Sequence, residues 1–461
     1  MKSVFYLFLL ALCAVLLVGC ENQEYADLAE AIRAGATLGE NIEIDGMDVS
    51  GMEVAKARRA LLAQQDAYLA SLQYEIRAGE GVAHANAAEL GAASDLDDVL
   101  LKALCVTQYY PGANRARTFG TSLTIDEKKL AAQAEAIAAA LQVQPENATA
   151  AYDKEAGEFV YTESADGLSV DAQRLADQLK IAVLAERSAS IEPYTNVLAA
   201  EYTIEDARND TQLVAEFSTS FAGSTYGKAN RVFNIAKAAG LINGVTLEPG
   251  EEFDMNAILG PRNGENGWKE ATGIRDAVYV QEYGGGVCQV SSTLYNAVLM
   301  ADLEVTDRTH HSWPLGYIDI GRDATISTGG PNFKFANFQD VPVTVGAQVD
   351  EDEKTITVSL YGRPLADGVT IRITSEKIET LPEAEMEIVE DESLAPGVQQ
   401  VVREPRRGSV SVTYKEYYDA DGNFLRREQV TKDKYRSISG ITHVGPQLGA
   451  VLAETADVAA D

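Results

Sequence analysis

The stretch that decides the fold and chemistry of this chain runs from Gly284 to Asn296 and reads GGGVCQVSSTLYN. Apolar residues recur at the spacing of one helix face, at Val290, Leu294, Ala297 and Ala301. The sequence therefore predicts a helix that begins near Cys288, directly after three glycines that allow close approach of a ligand. Unpaired N–H groups and the helix dipole favour a thiolate there, as a cysteine nucleophile requires. The competing interpretation is a small buried hydrophobic residue.

A cysteine nucleophile needs a base, and two adjacent histidines, His310 and His311, lie downstream of the predicted helix. Neighbouring side chains of an extended segment point to opposite faces, so at most one of them faces the thiol. A carboxylate would orient the imidazole, and Asp323 and Asp319 both lie within loop distance. The predicted oxyanion hole consists of backbone N–H groups around the cysteine, among them those of Gly285, Gly286 and Gln289.

Metal binding is the rival use of cysteine and histidine. Two adjacent histidines on a strand do not readily bind one ion, and the sequence has no CxxC or HxxxH spacing. We therefore predict no metal site and no cofactor.

The charge balance excludes one class of partner. Acidic residues outnumber basic ones by 70 to 38 in a chain of 461 residues, which gives a net charge of −32. Such a chain repels the phosphates of nucleic acid, so we predict no nucleic-acid partner. An apolar content of 46% argues against global disorder.

The N-terminal residues predict export and a lipid anchor. Lys2 precedes an apolar run from Val4 to Val18, which ends in Gly19 and Cys20 and resembles a bacterial lipobox. We expect residues 1–20 to be a lipoprotein signal peptide and Cys20 to be acylated, which anchors the protein to the membrane. An uncleaved anchor and an ordinary signal peptide are the alternatives. Outside the signal, only Cys105 and Cys288 remain, and a disulfide between them would silence the nucleophile.

The composition along the chain predicts an α+β multidomain protein. Residues 21–40 read as a linker, 41–205 as α+β repeats, 210–350 as a distinct α+β domain, 370–446 as an all-β domain and 447–461 as an acidic tail. Helices are predicted at 127–141 and 172–184, each after an N-capping aspartate. The shift in composition near residue 365 predicts that the C-terminal part folds as an independent unit.

The region from about Phe217 to Val349 closely resembles the VanW domain. The resemblance is carried by four stretches, Gly284–Asn296, His311-Ser312, Gly321–Thr325 and Gly330–Phe333. Family members often have His-x-His-Ser where this chain has Thr309-His310-His311-Ser312, so only His311 is carried over as the base. Ser312, in the same motif, is expected to contact substrate.

The flanks resemble domains that accompany VanW. Residues 41–205 resemble peptidoglycan-binding repeats, and 370–446 resembles a G5 domain through Ala395-Pro396-Gly397, Gly408, Gly422 and Tyr435. The second match departs from the pattern, because Pro405-Arg406-Arg407 replaces a glycine-rich stretch. The resemblance implies a peptidoglycan partner and a location on the outer face of the cytoplasmic membrane, facing the cell wall.

The resemblance leaves two functions open. Some VanW-domain proteins are held to be L,D-transpeptidases, which crosslink peptidoglycan stems through a cysteine acyl-enzyme. That activity would use Cys288 as nucleophile, His311 as base and Asp323 as its orienting group. The alternative is a non-catalytic peptidoglycan-binding or scaffold protein of the cell envelope.

Overall fold

The computed structural model describes residues 27–109, 115–225, 229–275 and 278–446. The chain forms two compact units, Met1–Asn147 with Ser164–Glu201 and Ala148–Glu163 with Tyr202–Asp461. Both combine helices and strands, so the predicted α+β multidomain class is confirmed. The predicted lipobox at Cys20 and the acidic tail lie outside the described residues. None of the helices in the described part of the chain is long and apolar enough to cross a bilayer.

The first unit contains two small hydrophobic cores, one formed mainly by residues 28–104 and the other mainly by 69–191. Its helices are Leu28–Arg33, Val54–Ser71, Leu96–Tyr109, Glu127–Leu141 and Ala172–Leu184. Its strands are Ile42–Ile44, Met47–Asp48, Gln73–Ala78, Gly81–Asn86, Ala92–Ser94, Arg117–Phe119, Leu123–Ile125, Gly167–Val170, Ala189–Ile191 and Thr195–Leu198. They form small sheets of two or three strands. The helices Glu127–Leu141 and Ala172–Leu184 have the bounds that the sequence predicts. Asp126 and Asp171 cap their first turns.

Two predicted boundaries differ from the structure. Residues 21–40 were expected to be a linker, but Leu28–Arg33 is a helix capped by Asp27, and Leu28 and Ala31 are buried in the first core. One helical turn is too short to give a clear apolar period. In addition, the hairpin formed by Thr149–Asp153 and Glu158–Thr162 groups with the second unit, although it lies within the predicted repeat region.

The second unit is built on a four-stranded antiparallel sheet, whose spatial order is Gln212–Ser220, Thr355–Gly362, Val343–Asp350 and Val245–Leu247. A three-stranded sheet joins Glu252–Asp254, Phe333–Ala336 and Glu304–Arg308, and Glu270–Arg275 pairs with Val278–Tyr283 as a hairpin. The helices of this unit are Ile204–Asn209, Ala222–Thr225, Ala229–Ile242, Met255–Leu259 and Val287–Met300.

The helix Val287–Met300, called the central helix below, is the predicted helix that follows the glycines. Thirteen consecutive residues would normally include a solvent-facing side, yet here every residue from Val287 to Leu299 except Cys288 is buried. Its N-cap is Gly286, with a φ of 111° that glycine adopts without strain. The cysteine therefore lies in the first turn of a helix that is enclosed on all sides.

The C-terminal part of the second unit consists of strands. Thr370–Thr380, Ser409–Tyr418 and Phe424–Tyr435 form one antiparallel sheet, and Glu387–Glu390, Ile441–Val444 and Gln399–Arg403 form another. Ile371, Ile373 and Tyr417 of the first sheet belong to the same hydrophobic core as the central helix. The predicted β-rich region is therefore present, but it shares a core with the region before it.

Candidate functional site

The thiol of Cys288 is partly exposed and faces a loop that follows the predicted histidines. Its Sγ lies 3.8 Å from Oγ1 of Thr325 and 3.5 Å from the carbonyl oxygen of Ile326. The hydroxyl of Tyr317 donates to the carbonyl of Cys288 at 3.2 Å and so helps to hold the first helical turn. Neither Cys105 nor Cys288 is in a disulfide, so the pairing considered from the sequence is absent.

His311 connects the thiol to a buried carboxylate. Nδ1 of His311 lies 2.5 Å from Oδ2 of Asp323, and the backbone N–H of His311 donates to the same oxygen at 2.6 Å. An ionised carboxylate only accepts, so Nδ1 carries the proton and Nε2 is left to interact with the thiol. The imidazole is close enough to Cys288 for each to change the pKa of the other. Cys288, His311 and Asp323 thus lie in the order that a nucleophile, a base and an orienting group require.

The pKa values describe a charged pair. Burial raises the pKa of Cys288, but the hydrogen bond and positive charge of His311, together with hydrogen bonds to Ile326 and Thr325, lower it below its ordinary value. Burial would lower the pKa of His311, yet Asp323 and the thiolate raise it to about 9. Burial likewise opposes ionisation of Asp323, but His311 and Tyr435 lower its pKa to about 2. All three shifts favour the charged forms, a thiolate, an imidazolium and a carboxylate, which stabilise one another.

The carboxylate of Asp323 is held by groups from distant parts of the sequence. Tyr435 is fully buried, donates to Oδ1 of Asp323 at 2.6 Å, and accepts from the N–H of Gly321 at 2.9 Å. Arg308 donates through Nε to the carbonyl of Asp323 and through Nη1 to Oδ2 of Asp433, each at 2.7 Å. Both oxygens of Asp323 therefore accept charge-assisted hydrogen bonds, which fix its orientation toward His311.

Two of the N–H groups predicted as oxyanion donors already have backbone acceptors. The N–H of Gly285 donates to the carbonyl of Glu282, and the N–H of Gln289 donates to that of Gly286. The side chain of Gln289 is also fully used, because it bonds Thr219, Ser220 and Arg231. The turn and the helix start therefore already use the N–H groups of Gly285 and Gln289. Within the described ranges, the N–H groups of Gly286 and Cys288 have no such acceptor and remain available.

The remaining candidate residues have other surroundings. Asp319 is exposed and pairs with Arg322, so Asp323 is the carboxylate that reaches the imidazole. Nδ1 of His310 lies 2.7 Å from the carbonyl oxygen of His311, and its ring lies 4.8 Å from that of Tyr435. Ser312 is exposed beside the site.

Sequence reasoning missed four residues around the thiol and its base. They are Arg308, Tyr317, Arg231 and Arg262. A fifth, Tyr435, was noticed only as part of the G5 pattern. The available signal was weak, since each is an ordinary arginine or tyrosine far from Cys288 in the chain and only the fold brings it close.

Three family models match the chain in separate regions. The model described as "Putative peptidoglycan binding domain" matches residues 85–192, "VanW like protein" matches 230–361, and "G5 domain" matches 373–447. The three lie in the order that the sequence predicts. Cys288, His311 and Asp323 fall inside the second region, and Tyr435 falls inside the third.

Two curated relatives are similar to part of the chain. The "Uncharacterized protein YoaR" of Bacillus subtilis (strain 168) is 38% identical over 144 residues, which cover 30% of this chain and 48% of that protein. The "Vancomycin B-type resistance protein VanW" of Enterococcus faecalis (strain ATCC 700802 / V583) is 31% identical over 132 residues, which cover 28% of this chain and 48% of that protein. This chain therefore spans about half the length of each relative.

Solved G5 structures are similar to a small part of the chain. An IgA1 protease G5 domain is 20% identical, with a TM-score of 0.13, and covers 18% of this chain and 96% of that one. The HP0197 G5 structure is 23% identical, with a TM-score of 0.11, and the match covers 17% of this chain and 97% of that one. The G5 assignment rests on the family model and the sheets described above. The chain thus carries a region similar to a peptidoglycan-binding domain, a VanW-like region and a G5 region in that order, and these domain types indicate a cell-wall-associated extracytoplasmic protein.

Proposed function

We propose that the protein is a cysteine acyltransferase of peptidoglycan that acts as an L,D-transpeptidase. The observation that supports this most directly is the chain of contacts from a partly exposed thiol through His311 to the buried carboxylate of Asp323. A structural cysteine has no need of a raised histidine pKa or of a buried carboxylate behind that histidine. The domain order supplies the substrate class, because the flanking domains are wall-associated types.

The first half-reaction forms an acyl-enzyme. The thiolate of Cys288 attacks the carbonyl carbon of the L,D peptide bond at the end of a donor tetrapeptide stem. The resulting oxyanion accepts hydrogen bonds from the N–H groups of Gly286 and Cys288. The C–N bond breaks as His311 gives its proton to the departing amine of D-alanine, which leaves a thioester and a neutral imidazole.

The second half-reaction transfers the acyl group. His311, now neutral, accepts a proton from the amine of an acceptor stem as that amine attacks the thioester carbon. The C–S bond breaks, the thiolate returns, and a new amide joins the two stems. Asp323 keeps Nδ1 of His311 protonated throughout, so that the same Nε2 gives and takes the proton.

The test uses purified full-length protein and muropeptides with tetrapeptide stems. We expect an acyl adduct on Cys288 by intact mass and crosslinked dimers without a pentapeptide donor. Cys288→Ala should abolish both, and His311→Ala should slow them by roughly 10²–10⁴-fold, the usual contribution of a general base. Cys105→Ala is the matched thiol control and should retain activity. Wild-type protein that binds sacculi but forms neither adduct nor dimer would favour the non-catalytic scaffold.

The predicted lipid anchor at Cys20 is part of this proposal. The lipobox resemblance supports it, and acyl chains on Cys20 would hold the enzyme at the membrane face of the wall. A clickable fatty acid should label the wild-type protein and Cys13→Ser but not Cys20→Ser. Equal labelling of all three would exclude acylation at Cys20.

A further inference from the structure

Two arginine side chains lie against the glycine run that precedes Cys288. A Cβ placed at Gly284 would lie 2.8 Å from Cγ of Arg262, and one at Gly286 would lie 2.9 Å from Cγ of Arg231. Only glycine leaves room for these stems. The run therefore does more than shape a turn, because it brings two guanidinium groups to the start of the helix that carries the nucleophile.

The two arginines differ in what they bind. Nη2 of Arg231 donates to Oε1 of Gln289 at 3.0 Å. Arg262 donates through Nη1 to the carbonyl of Gly260 at 3.1 Å, but its Nη2 is buried and bonds no described residue. By contrast, the buried Arg308 is paired with Asp433. A buried guanidinium N–H without an acceptor is unfavourable unless a ligand supplies one.

Arg262 is fixed to the same loop that touches the thiol. Its backbone N–H donates to Oγ1 of Thr328 at 3.0 Å, and Thr325 and Ile326 of that loop contact Sγ of Cys288. Burial lowers the pKa of Arg262, and the thiolate of Cys288 opposes this shift, so the two charges act on each other. Among the described carboxylates, none forms an ion pair with Arg262. Its guanidinium is thus available to a carboxylate that enters beside the thiol.

We propose that Arg262 forms a carboxylate subsite next to Cys288, which selects acyl donors with a free carboxylate one residue beyond the bond that is attacked. In the proposed reaction this is the carboxylate of the departing D-alanine, so the identity of the substrate rests on the proposed function. The subsite would reject stems whose terminal carboxylate is amidated or extended, because Nη2 would then be buried without its partner. It would also place the scissile carbonyl over the thiolate.

The first test needs no wall substrate. Cys288 of the full-length protein is alkylated with iodoacetate, which carries a carboxylate, or with neutral iodoacetamide, and the modified peptide is quantified by mass spectrometry. We expect Arg262→Met to lower the iodoacetate-to-iodoacetamide rate ratio by about tenfold or more, in keeping with one charge-assisted hydrogen bond. Arg426→Met, at an exposed arginine of the C-terminal sheet, should leave the ratio unchanged. Equal slowing with both reagents would overturn the proposal, since Arg262 would then only stabilise the thiolate.

A measurement on the wild-type protein covers the case in which the variant does not fold. D-Alanine should protect Cys288 from iodoacetamide in a saturable manner, whereas D-alaninamide should not. Equal protection by both compounds, or by neither, would exclude a carboxylate subsite at the thiol.

The second test compares two donors, a tetrapeptide muropeptide and its C-terminal amide. We expect the amide to have at least about tenfold lower kcat/KM with wild-type protein, and Arg262→Met to remove most of this preference. If neither donor reacts while D-alanine still protects Cys288, the subsite stands and the proposed transpeptidation fails. Equal turnover of both donors would overturn the subsite alone.

Discussion

The hydroxyl of Tyr435 donates a hydrogen bond to Oδ1 of Asp323 across 112 residues of sequence, at 2.6 Å. Asp323 lies in the region matched by the VanW model, and Tyr435 lies in the region matched by the G5 model. Two further hydrogen bonds join the same two regions, one from Arg308 to Asp433 and one from Thr413 to the carbonyl of Gly321. Asp323, which contacts His311, is therefore held in place by Tyr435 of the neighbouring G5 region.

Tyr435→Phe should reduce the reactivity of Cys288. The change removes one donor to Asp323, so the carboxylate is held less firmly and His311 is oriented less well. We expect a loss of about 1–3 kcal/mol in the free energy of unfolding, as for a buried hydrogen bond to a charged group. Muropeptide crosslinking should slow by roughly tenfold, which corresponds to about 1.4 kcal/mol.

Tyr418→Phe is the control for this prediction, because Tyr418 lies in the same sheet and its hydroxyl donates to Glu416 rather than to Asp323. The informative reading is the pH profile of alkylation at Cys288, which a purely structural tyrosine would not move. An unchanged profile in Tyr435→Phe would show that Tyr435 has no role in orienting the base.

The rate of acylation should depend on pH in a bell shape. It should rise as Cys288 loses its proton at a pKa below the ordinary thiol value, and fall as His311 loses its proton at about 9. In His311→Gln, burial acts without the imidazolium, so the alkylation midpoint of Cys288 should move to higher pH. Iodoacetamide kinetics across pH measure this midpoint, and an identical midpoint in both proteins would refute the charged pair.

The same shift predicts how stability depends on pH. The folded pKa of His311, about 9, exceeds its ordinary value of 6.5, so the folded state binds the proton more tightly. The stabilisation by this proton is complete below pH 6.5 and is lost as pH rises through about 9. The free energy of unfolding, measured in urea, should therefore decrease between pH 6 and pH 9.5 in the wild type. The decrease should be smaller in His311→Gln, which lacks the imidazole.

Cleavage between the two C-terminal sheets should nick the chain without releasing a domain. The sequence predicts an independent C-terminal part, but Ile371, Ile373 and Tyr417 share the core of the central helix. A protease site inserted after Glu383, an exposed residue, would therefore give two fragments that elute together in size exclusion. Elution of a separate folded C-terminal fragment would support the original prediction of independence.

Gly285→Ala should destabilise the second unit by about 1–3 kcal/mol, the usual cost of forcing an atom into a packed site. A Cβ there would lie 2.5 Å from the carbonyl oxygen of Ala271 and 2.9 Å from that of Thr272, and backbone atoms cannot turn aside. Gly240→Ala, in the helix Ala229–Ile242, meets nothing within 4 Å and should be neutral or stabilising by up to about 1 kcal/mol. Thermal unfolding compares the two, and equal effects would contradict this packing.

The parts of the fold that follow from local patterns could be predicted from the sequence. The apolar spacing after Cys288 predicted the central helix, and aspartates at the N-cap predicted Glu127–Leu141 and Ala172–Leu184. The position of Cys288 in the first turn of that helix could be predicted for the same reason, since a cysteine after glycines at a helix start is a local signal.

The rest depends on contacts between distant residues. The choice between Asp323 and Asp319 could not be made from loop length, because it depends on hydrogen bonds from His311 and Tyr435. The backbone acceptors of Gly285 and Gln289 could not be predicted for a similar reason, since a sequence pattern does not show which N–H groups a turn already uses. Arg262 was missed because nothing near residue 262 indicates that its side chain lies on Gly284.

The enclosure of the central helix has a consequence for reading relatives of this protein. Ser291, Ser292 and Asn296 bond main-chain carbonyls of the helix and of residues 322–324, so their identities are set by packing. A chain that lost its thiol would still need them to fold. The presence of these polar residues in a relative therefore indicates the same packing, and under the proposed mechanism only Cys288 and His311 indicate whether the relative has the same activity.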